Sequence, residues 1–265
     1  MAATRVLVIG AAGRMGREVV RAVQAEAELE LCGGVEVAAV GQDIGELAGI
    51  GPLGLPLSAD LEATLRTVRP EVAVVFTSPA ATAPTLRTLL ANRVAPVVGS
   101  TGWYDLLPEF EQSTRETGVP MFVAPNFAIG AALMMKFAQQ AAQYLDHVEI
   151  IELHHDRKVD APSGTAEWTA RLIAESRAGR PMQAAPTARF NLPGVRGGSH
   201  QGIVIHSVRL PGFVAHQEII FGGLGQVLTI RHDSTDRTSF MPGVVLACRR
   251  VRSLAGLTVG LEQLL

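Results

Sequence analysis

The chain has 265 residues, enough for one large domain or two modest ones. Hydrophobic residues make up 48 % and charged residues 18 %, a balance typical of a globular protein with a substantial core. The net charge of −2 gives no electrostatic reason to expect nucleic acid or an anionic membrane as a partner. No apolar run reaches the roughly 18–20 residues that span a bilayer. We expect a cytoplasmic protein, because no signal-peptide pattern opens the chain and its only cysteines are Cys32 and Cys248.

Strand-like and helix-like segments alternate through the first 126 residues, beginning with the apolar run RVLVIG at 5–10. Strands separated by helices of this length predict a parallel, doubly wound sheet. The stretch 41–57 is rich in glycine and proline, and we interpret it as a loop. Further strands are predicted at 29–40, 72–77, 95–101 and 119–126, and helices at 16–28, 59–68, 80–92 and 106–118.

The pattern changes after residue 127, where a long helix is followed by a strand, a second helix and three candidate antiparallel strands. The turns LPGF and GGLG between those three strands are short and contain glycine, which favours hairpins. We therefore predict an α/β protein with an N-terminal Rossmann-type parallel sheet and a C-terminal α+β domain whose open sheet is mostly antiparallel. The predicted elements are helices at 128–145 and 165–178 and strands at 146–155, 202–210, 213–222 and 226–234. The predicted domains are 1–126 and 127–238. The last segment, 239–265, is predicted to be helical through residue 257 and to return to the first domain.

A glycine-rich turn directly follows the first predicted strand and opens a helix. Glycines at such a junction allow a tight turn and let the backbone approach a pyrophosphate, which the helix N-terminus then binds. Glu36 lies 20 residues after Gly16, at the end of the second predicted strand, where an acidic side chain binds the ribose hydroxyls of NAD. The alternative is an ordinary strand–helix turn with Glu36 on the surface. The predicted cofactor contacts in this region are Gly10, Ala11, Ala12, Gly13, Arg14, Met15 and Glu36.

The residue after Glu36 bears on the choice between the two nicotinamide cofactors. NADP-binding proteins place an arginine nearby to hold the 2′-phosphate, and Val37 cannot do so. We therefore favour NADH, with NADPH possible through Arg14 or Arg17. Small polar loops follow three other predicted strands, at the sheet edge where open α/β sheets bind ligands. The three loops are 77–79, 99–102 and 124–127, and each could contact the ribose or the nicotinamide or be an ordinary connection. The family resemblance given below implies cofactor contacts in the last two, at Gly99, Ser100, Thr101, Ala124, Pro125, Asn126 and Phe127.

The stretch ELHHDRKVDAPSGTA at 152–166 concentrates titratable side chains beside a turn. An imidazole titrates near neutrality and a partly desolvated lysine can also do so, which makes His154 and Lys158 candidates for proton transfer. Two structural histidines in a polar loop are the plainer alternative. A shared metal is not favoured, because His154 and His155 point to opposite faces of a strand and no third ligand has a recognised spacing.

The same stretch ends in a helix start that suits an anion. Ser163 is a natural N-cap, and Gly164 and Thr165 then expose first-turn N–H groups. We interpret this turn as a binding site for a substrate carboxylate. A capped helix without a ligand is also compatible with the same residues.

Along its whole length the chain resembles the bacterial dihydrodipicolinate reductases (4-hydroxy-tetrahydrodipicolinate reductases) of lysine and diaminopimelate biosynthesis. The matching segments are VLVIGAAGRMGR, the acidic Glu36, GSTGW, APNFAIG and ELHHDRKVDAPSGTA. The resemblance implies NADH or NADPH as cofactor, a cyclic dicarboxylate as substrate, and a homotetramer joined through the sheet of the second domain. It implies hydride transfer to ring carbon C4 of a conjugated imine and protonation of the resulting enamine. In these terms His154 is the acid/base, Lys158 the proton donor, and the substrate carboxylate is held by His155, Ser163, Gly164 and Thr165.

Two positions depart from the family pattern, and two rival functions remain open. The family often has a basic residue where Val37 stands and an acidic one where Val75 stands. One rival is an amino-acid dehydrogenase with the same two-domain plan and an open-chain substrate. The other is a catalytically inactive dinucleotide sensor, against which an intact His154 and Lys158 argue.

Overall fold

The computed structural model describes residues 2–183 and 189–265 and divides the chain into two units. The first unit comprises Met1–Ala128 and Phe240–Leu265, and the second comprises Ile129–Ser239. Each unit is built around one sheet.

The first unit contains a six-stranded sheet in which every neighbouring pair is parallel, in the order β11-β5-β4-β3-β1-β2. This arrangement confirms the predicted Rossmann-type sheet. Its strands are β1 (Thr4–Ile9), β2 (Leu29–Val35), β3 (Val72–Val75), β4 (Ala95–Val98), β5 (Met121–Val123) and β11 (Leu257–Val259), and its helices are α1 (Arg14–Gln24), α2 (Ile44–Ala48), α3 (Leu61–Val68), α4 (Pro79–Ala91), α5 (Leu107–Thr117) and α8 (Met241–Arg250).

Burial explains why these residues form these elements. All residues of β3 and β4 are buried, as expected for central parallel strands covered on both faces. The buried residues of α1 are Gly16, Val19, Val20 and Val23, spaced so that they share one face of a helix. That face holds the helix against the sheet and fixes the position of its N-terminus after β1.

Three predictions for the first unit were wrong in detail. The second strand ends at Val35 rather than residue 40, because Ala39 and Gly41 adopt left-handed backbone conformations that a strand cannot continue through. The predicted loop 41–57 contains the short helix α2, whose cap residue Asp43 accepts hydrogen bonds from the backbone of Gly45, Glu46, Leu53 and Leu55. The C-terminal helix ends at Arg250, and the chain then adds β11 to the edge of the sheet beside β5.

The second unit contains a five-stranded mixed sheet in the order β10-β9-β6-β8-β7. Three of its four neighbouring pairs are antiparallel, which confirms the predicted open, mostly antiparallel sheet. Helices α6 and α7 pack on one face, and the residues of β6 alternate between that buried face and a half-exposed one. The elements are α6 (Ile129–Ala141), β6 (His147–His154), α7 (Gly164–Glu175), β7 (Gly198–His200), β8 (Ile203–Arg209), β9 (Ala215–Gly223) and β10 (Gln226–Ser234).

The predicted hairpin across LPGF was wrong, whereas the one across GGLG joins β9 and β10 as expected. Strand β6 lies between β8 and β9, parallel to β8 and antiparallel to β9. The turn residues after β8 therefore connect two strands that are not neighbours. Insertion of β6 places its C-terminal histidine at the centre of the sheet edge, with β8 on one side and β9 on the other.

Across the described ranges, 2–183 and 189–265, no helix is long and apolar enough to cross a membrane.

Candidate active site

The turn after β1 requires its glycines for steric reasons. Gly10 has a φ of +82°, and a Cβ at this position would lie 2.0 Å from the carbonyl oxygen of Phe76. A Cβ at Gly16 would lie 2.0 Å from the carbonyl oxygen of Gly10. Neither position can take a side chain without moving the backbone, so the close packing of this turn on the sheet depends on both glycines.

The N-terminus of α1 fits an anionic group. Gly13 is the cap residue and provides no side-chain hydrogen bond, and the first turn contains no acidic residue. The first N–H groups of the helix therefore have no side-chain acceptor from the cap, and Arg14 and Arg17 add positive charge. A helix start with free donors and a favourable dipole is suited to the pyrophosphate of a dinucleotide.

Glu36 directly follows β2. Its backbone N–H donates to the carbonyl oxygen of Ser58 at 2.9 Å, and its carboxylate accepts a hydrogen bond from the backbone N–H of Val37 at 2.9 Å. The Val37 side chain is 84 % exposed, so nothing in the first unit covers it. The carboxylate is thus held at the strand end with further acceptor capacity for ribose hydroxyls.

The loops after β4 and β5 are each fixed by hydrogen bonds, the β4 loop to the residues that follow β3 and the β5 loop within itself. The Ser100 hydroxyl accepts a hydrogen bond from the backbone N–H of Thr77 at 2.9 Å, and the Trp103 indole donates to the Ser100 carbonyl oxygen at 2.8 Å. The Asn126 side-chain oxygen accepts from the backbone N–H of Ala128 at 2.8 Å, and Phe127 is buried. A Cβ at Gly99 would lie 2.1 Å from the Phe76 ring.

The remaining predicted cofactor residues line the same sheet edge at different depths. Two of them, Ala11 and Ala124, are buried. The others are at least partly accessible: Ala12, Met15, Thr101 and Pro125. All predicted cofactor residues thus belong to the first unit, whereas the predicted proton-transfer and substrate residues belong to the second.

In the second unit, His154 is the last residue of β6 and is paired with a buried carboxylate. Its Nδ1 lies 2.5 Å from a carboxylate oxygen of Glu152, which is two residues earlier on the same face of the strand. Glu152 is wholly buried. His155 follows the end of the strand, and its carbonyl oxygen accepts a hydrogen bond from the backbone N–H of Lys158 at 3.1 Å.

The charge of Glu152 is stabilised by a second partner. The Arg209 guanidinium donates to both carboxylate oxygens, at 2.7 and 2.9 Å, in the bidentate geometry that gives the strongest such pairs. Burial acts to raise the pKa of Glu152, but hydrogen bonds from His154, Arg209 and Ser207 outweigh it and lower the pKa to about 2. The carboxylate is ionised at neutral pH and can only accept hydrogen bonds.

The lysine of the site is also held by a carboxylate. The Nζ of Lys158 donates to both oxygens of Asp160 at 2.7 Å, and the lysine side chain is 20 % exposed. Partial burial acts to raise the pKa of Asp160, but the hydrogen bond from Lys158 lowers it below its ordinary value. The turn at His155 and the ion pair with Asp160 fix Lys158 on the short loop that follows His154.

Helix α7 begins directly after this loop. Ser163 is its cap residue, and the Ser163 hydroxyl accepts a hydrogen bond from the backbone N–H of Ala166 at 3.2 Å, which confirms the predicted N-cap. A Cβ at Gly164 would meet no atom within 4 Å. The described packing therefore gives no reason for glycine at this position, in contrast to Gly10 and Gly16. Thr165 follows in the first turn.

Three charged residues of this cluster were missed from the sequence: Glu152, Asp160 and Arg209. Glu152 had a signal, because an acidic residue on the apolar face of a strand and two residues from a histidine is unlikely to be a surface group. Arg209 had none, since only the parallel pairing of β6 with β8 brings it opposite His154. Within the described part of the chain no cluster of three or more His, Cys, Asp or Glu side chains is arranged to hold a metal ion.

Comparison with known proteins identifies the family. The family model for the N-terminus of dihydrodipicolinate reductase matches residues 4–127, and the model for its C-terminus matches residues 130–265. The chain belongs to the dihydrodipicolinate reductase family. The resemblance found in the sequence is thereby confirmed, together with a pyridine-nucleotide-binding Rossmann fold.

Individual relatives cover the chain almost completely. A protein named 4-hydroxy-tetrahydrodipicolinate reductase from Desulfitobacterium hafniense is 50 % identical over 98 % of this chain and 98 % of its own length. One of the same name from Moorella thermoacetica is 49 % identical over 100 % of this chain and 99 % of its own. The solved structure of dipicolinate-bound dihydrodipicolinate reductase from Paenisporosarcina sp. TG-14 is 43 % identical, with a TM-score of 0.83 over 99 % of this chain and 100 % of that one.

Proposed function

We propose that this family member converts 4-hydroxy-tetrahydrodipicolinate to tetrahydrodipicolinate in lysine and diaminopimelate biosynthesis, with NADH or NADPH as cofactor. Loss of the 4-hydroxyl group as water gives the conjugated imine, which a hydride and a proton then reduce. The observation that carries the proposal is the loop between β6 and α7. It places a carboxylate-held histidine and a carboxylate-held lysine directly ahead of a helix N-terminus. The relatives with this name share about half of all residues with the chain, which supports the same substrate.

We propose that the first unit holds the dinucleotide through the turn after β1, the N-terminus of α1, Glu36, and the loops after β4 and β5. The glycines allow the pyrophosphate to approach the backbone, and Glu36 accepts hydrogen bonds from the ribose hydroxyls. A bound reduced nicotinamide supplies the hydride that goes to ring carbon C4 of the conjugated imine. Ser100 acts through its backbone, because its hydroxyl is engaged by Thr77.

We propose that the first turn of α7 binds a substrate carboxylate, with His155 beside it. Backbone N–H groups and the helix dipole favour a negative charge at this point. The open space beside Gly164 supports the assignment. A side chain at this position would meet no protein atom, but it would fill the space in which we place the ligand. Ser163 contributes as the cap that orients this turn, since its hydroxyl is bound to the backbone of Ala166.

We propose that His154 and Lys158 supply the proton. Hydride addition leaves an enamine, which must be protonated to complete the reduction, and both side chains can carry a proton at neutral pH. Glu152 and Asp160 each hold one of these groups in a fixed position through a hydrogen bond.

We propose NADH as the preferred cofactor. The exposed Val37 cannot bind a 2′-phosphate, and the Arg17 guanidinium donates from Nε to the carbonyl oxygen of Ala12 at 2.9 Å, which directs it to the glycine turn. The ratio of kcat/KM for NADH to that for NADPH measures this preference. A clear preference for NADPH would overturn it and would indicate that Arg14 or Arg17 reaches the 2′ position.

We propose that the chain assembles as a homotetramer through the half-exposed face of the second sheet, and that it works in the cytoplasm. That face is formed by alternate residues of β6, β8, β9 and β10, among them Ile151, Leu153 and Ile220. The exposed edge of β10 adds Val227 and Leu228. Edges and faces of this kind are normally covered in a stable protein. Two free, buried cysteines are in keeping with a reducing compartment.

A coupled assay tests the proposed function. A synthase generates the substrate in situ from pyruvate and aspartate semialdehyde, and the loss of reduced-nicotinamide absorbance is followed with NADH and NADPH in parallel. Turnover that is abolished in Lys158→Ala supports the proposal. The folded protein could instead bind NADH and fail to oxidise it, whichever cyclic imine dicarboxylate is supplied. The function must then be either reduction of an open-chain substrate or dinucleotide sensing.

A further inference from the structure

A row of polar side chains crosses the second sheet on the face where α6 and α7 pack, with Ser207 exposed and Glu152 and Gln217 buried. Glu152 on β6 lies in register with Ser207 on β8 and with Gln217 on β9. Residues directly opposite one another on neighbouring strands share a face. Gln217 is buried and its side-chain N–H donates to the Thr169 hydroxyl of α7 at 2.8 Å. The carboxylate of Glu152 is therefore the one fixed negative charge of this row, enclosed between the sheet and α7.

The hydrogen bonds of Glu152 determine the tautomer of His154. An ionised carboxylate has no proton to donate, so the contact between Glu152 and the His154 Nδ1 requires the proton to be on that nitrogen. The other ring nitrogen, Nε2, is then the one that exchanges a proton with a ligand. A histidine with no such partner interconverts between tautomers and rotates about its side-chain bonds.

Arg209 connects this pair to the lysine-bearing loop. One of its terminal nitrogens donates to Glu152 at 2.7 Å and also to the carbonyl oxygen of Asp160 at 2.8 Å. The Asp160 carboxylate in turn binds Lys158. Arg209 thus joins the strand that carries the histidine to the loop that carries the lysine, and its charge prevents Glu152 from being a buried unpaired anion.

We infer that Glu152 is a positioning residue for the reaction, acting through His154, and that Arg209 aligns Glu152 with the Lys158 loop. Glu152 holds the proton on Nδ1 and presents Nε2 to the substrate. This inference rests on the proposed function of His154 as acid/base. It assigns the buried carboxylate to proton transfer rather than to the stability of the sheet alone.

The variant Glu152→Gln tests the inference, because it keeps the size of the side chain and removes its charge. We expect kcat to fall at least about tenfold while KM for the cofactor does not change. This is less than the loss of the general acid itself, because His154 is still present. Glu149→Gln is the matched control: Glu149 is on the same strand and also pairs with an arginine and a histidine, Arg196 and His206, but it lies on the opposite face. This control should keep the wild-type kcat, measured on protein that elutes with the wild-type oligomeric state, because Glu149 lies on the face that we propose for assembly.

A double-mutant cycle separates positioning from a structural effect. In a His154→Gln background, Glu152→Gln should cause almost no further loss of kcat, because residues that act as a unit are not additive. Losses that multiply in the double variant would overturn the inference and assign Glu152 to folding. Full turnover in His154→Gln alone would overturn the inference and the proposed function of His154 together. An inactive His154→Gln beside a fully active Glu152→Gln would overturn the inference alone.

A measurement on the wild-type protein does not depend on how the variants fold. The ¹⁵N shifts of the His154 imidazole report which nitrogen carries the proton. We expect the neutral ring to be protonated at Nδ1. Protonation at Nε2 would overturn the inference, because Glu152 would then not determine the tautomer.

Discussion

The two units prepare their proposed ligand sites in different ways. In the first unit the backbone provides the site: glycines at Gly10 and Gly16 let the turn and α1 pack closely, and the helix start offers N–H groups. In the second unit side chains provide the proposed proton-transfer groups, through the linked charges of Glu152, His154, Arg209 and the Lys158 loop, beside the helix start of α7. A dinucleotide needs a surface that fits its phosphates, whereas proton transfer needs groups with controlled protonation. The type of chemistry therefore determines which part of the polypeptide is used.

The largest effect that tests this comparison comes from two glycine-to-alanine changes. Gly16→Ala should lower the free energy of unfolding by about 3 kcal/mol, the upper end of the usual cost of overpacking, because its Cβ would lie 2.0 Å from a backbone oxygen. Gly164→Ala should leave the free energy of unfolding nearly unchanged, since its Cβ meets no protein atom, yet it should raise KM for the substrate about tenfold by crowding the ligand. Denaturant unfolding and steady-state kinetics measure both. A Gly164→Ala variant that unfolds as easily as Gly16→Ala would mean that the fold, and not a ligand, requires this glycine.

The next effect concerns the lysine of the second unit. Lys158→Ala should lower kcat by at least about a hundredfold, the usual contribution of a general acid, and leave cofactor binding intact. Lys136→Ala is the matched control, because Lys136 is the only other lysine of the chain and lies on α6. The coupled assay gives kcat, and fluorescence titration with NADH gives the Kd. Wild-type turnover in Lys158→Ala would remove this residue from the mechanism.

The sequence was sufficient for the features that depend on local chemistry. The buried strands of the first sheet, the glycine turn and the Ser163 cap follow from residue types and spacing, and the structure contains each of them. The pairing of strands that are distant in sequence could not be predicted from the sequence. The insertion of β6 between β8 and β9 is determined by tertiary packing, so the hairpin predicted at LPGF was wrong and Arg209 was not identified. Left-handed residues such as Ala39 also ended β2 earlier than its apolar letters indicated.

A smaller effect should appear in acid, where the buried carboxylate of the second unit can be observed without any ligand. The pKa of Glu152 is about 2 in the folded protein, whereas the ordinary pKa of a glutamate is 4.5. A carboxylate whose pKa is lowered by folding stabilises the protein at pH values above its ordinary pKa. This stability is lost as the pH falls towards the folded-state pKa. The stability of wild type relative to Glu152→Gln should therefore decrease by roughly 2–3 kcal/mol between about pH 4.5 and pH 2. Urea unfolding of both proteins across this range gives the difference, and a constant difference would show that the carboxylate is not selectively stabilised by folding.

The smallest effect returns to the first unit and asks whether one side chain matters where the backbone provides most of the site. Glu36→Ala should weaken NADH binding about fivefold, which corresponds to about 1 kcal/mol for the lost hydrogen bonds to the ribose, with little change in kcat at saturation. The decrease is modest because the pyrophosphate contacts at the N-terminus of α1 remain. Glu62→Ala on the exposed surface of α3 is the control for the loss of one negative charge. Isothermal titration with NADH measures both variants. Equal affinity in Glu36→Ala and wild type would place Glu36 outside the site, and a fall in kcat without a change in affinity would contradict the division between a binding unit and a proton-transfer unit.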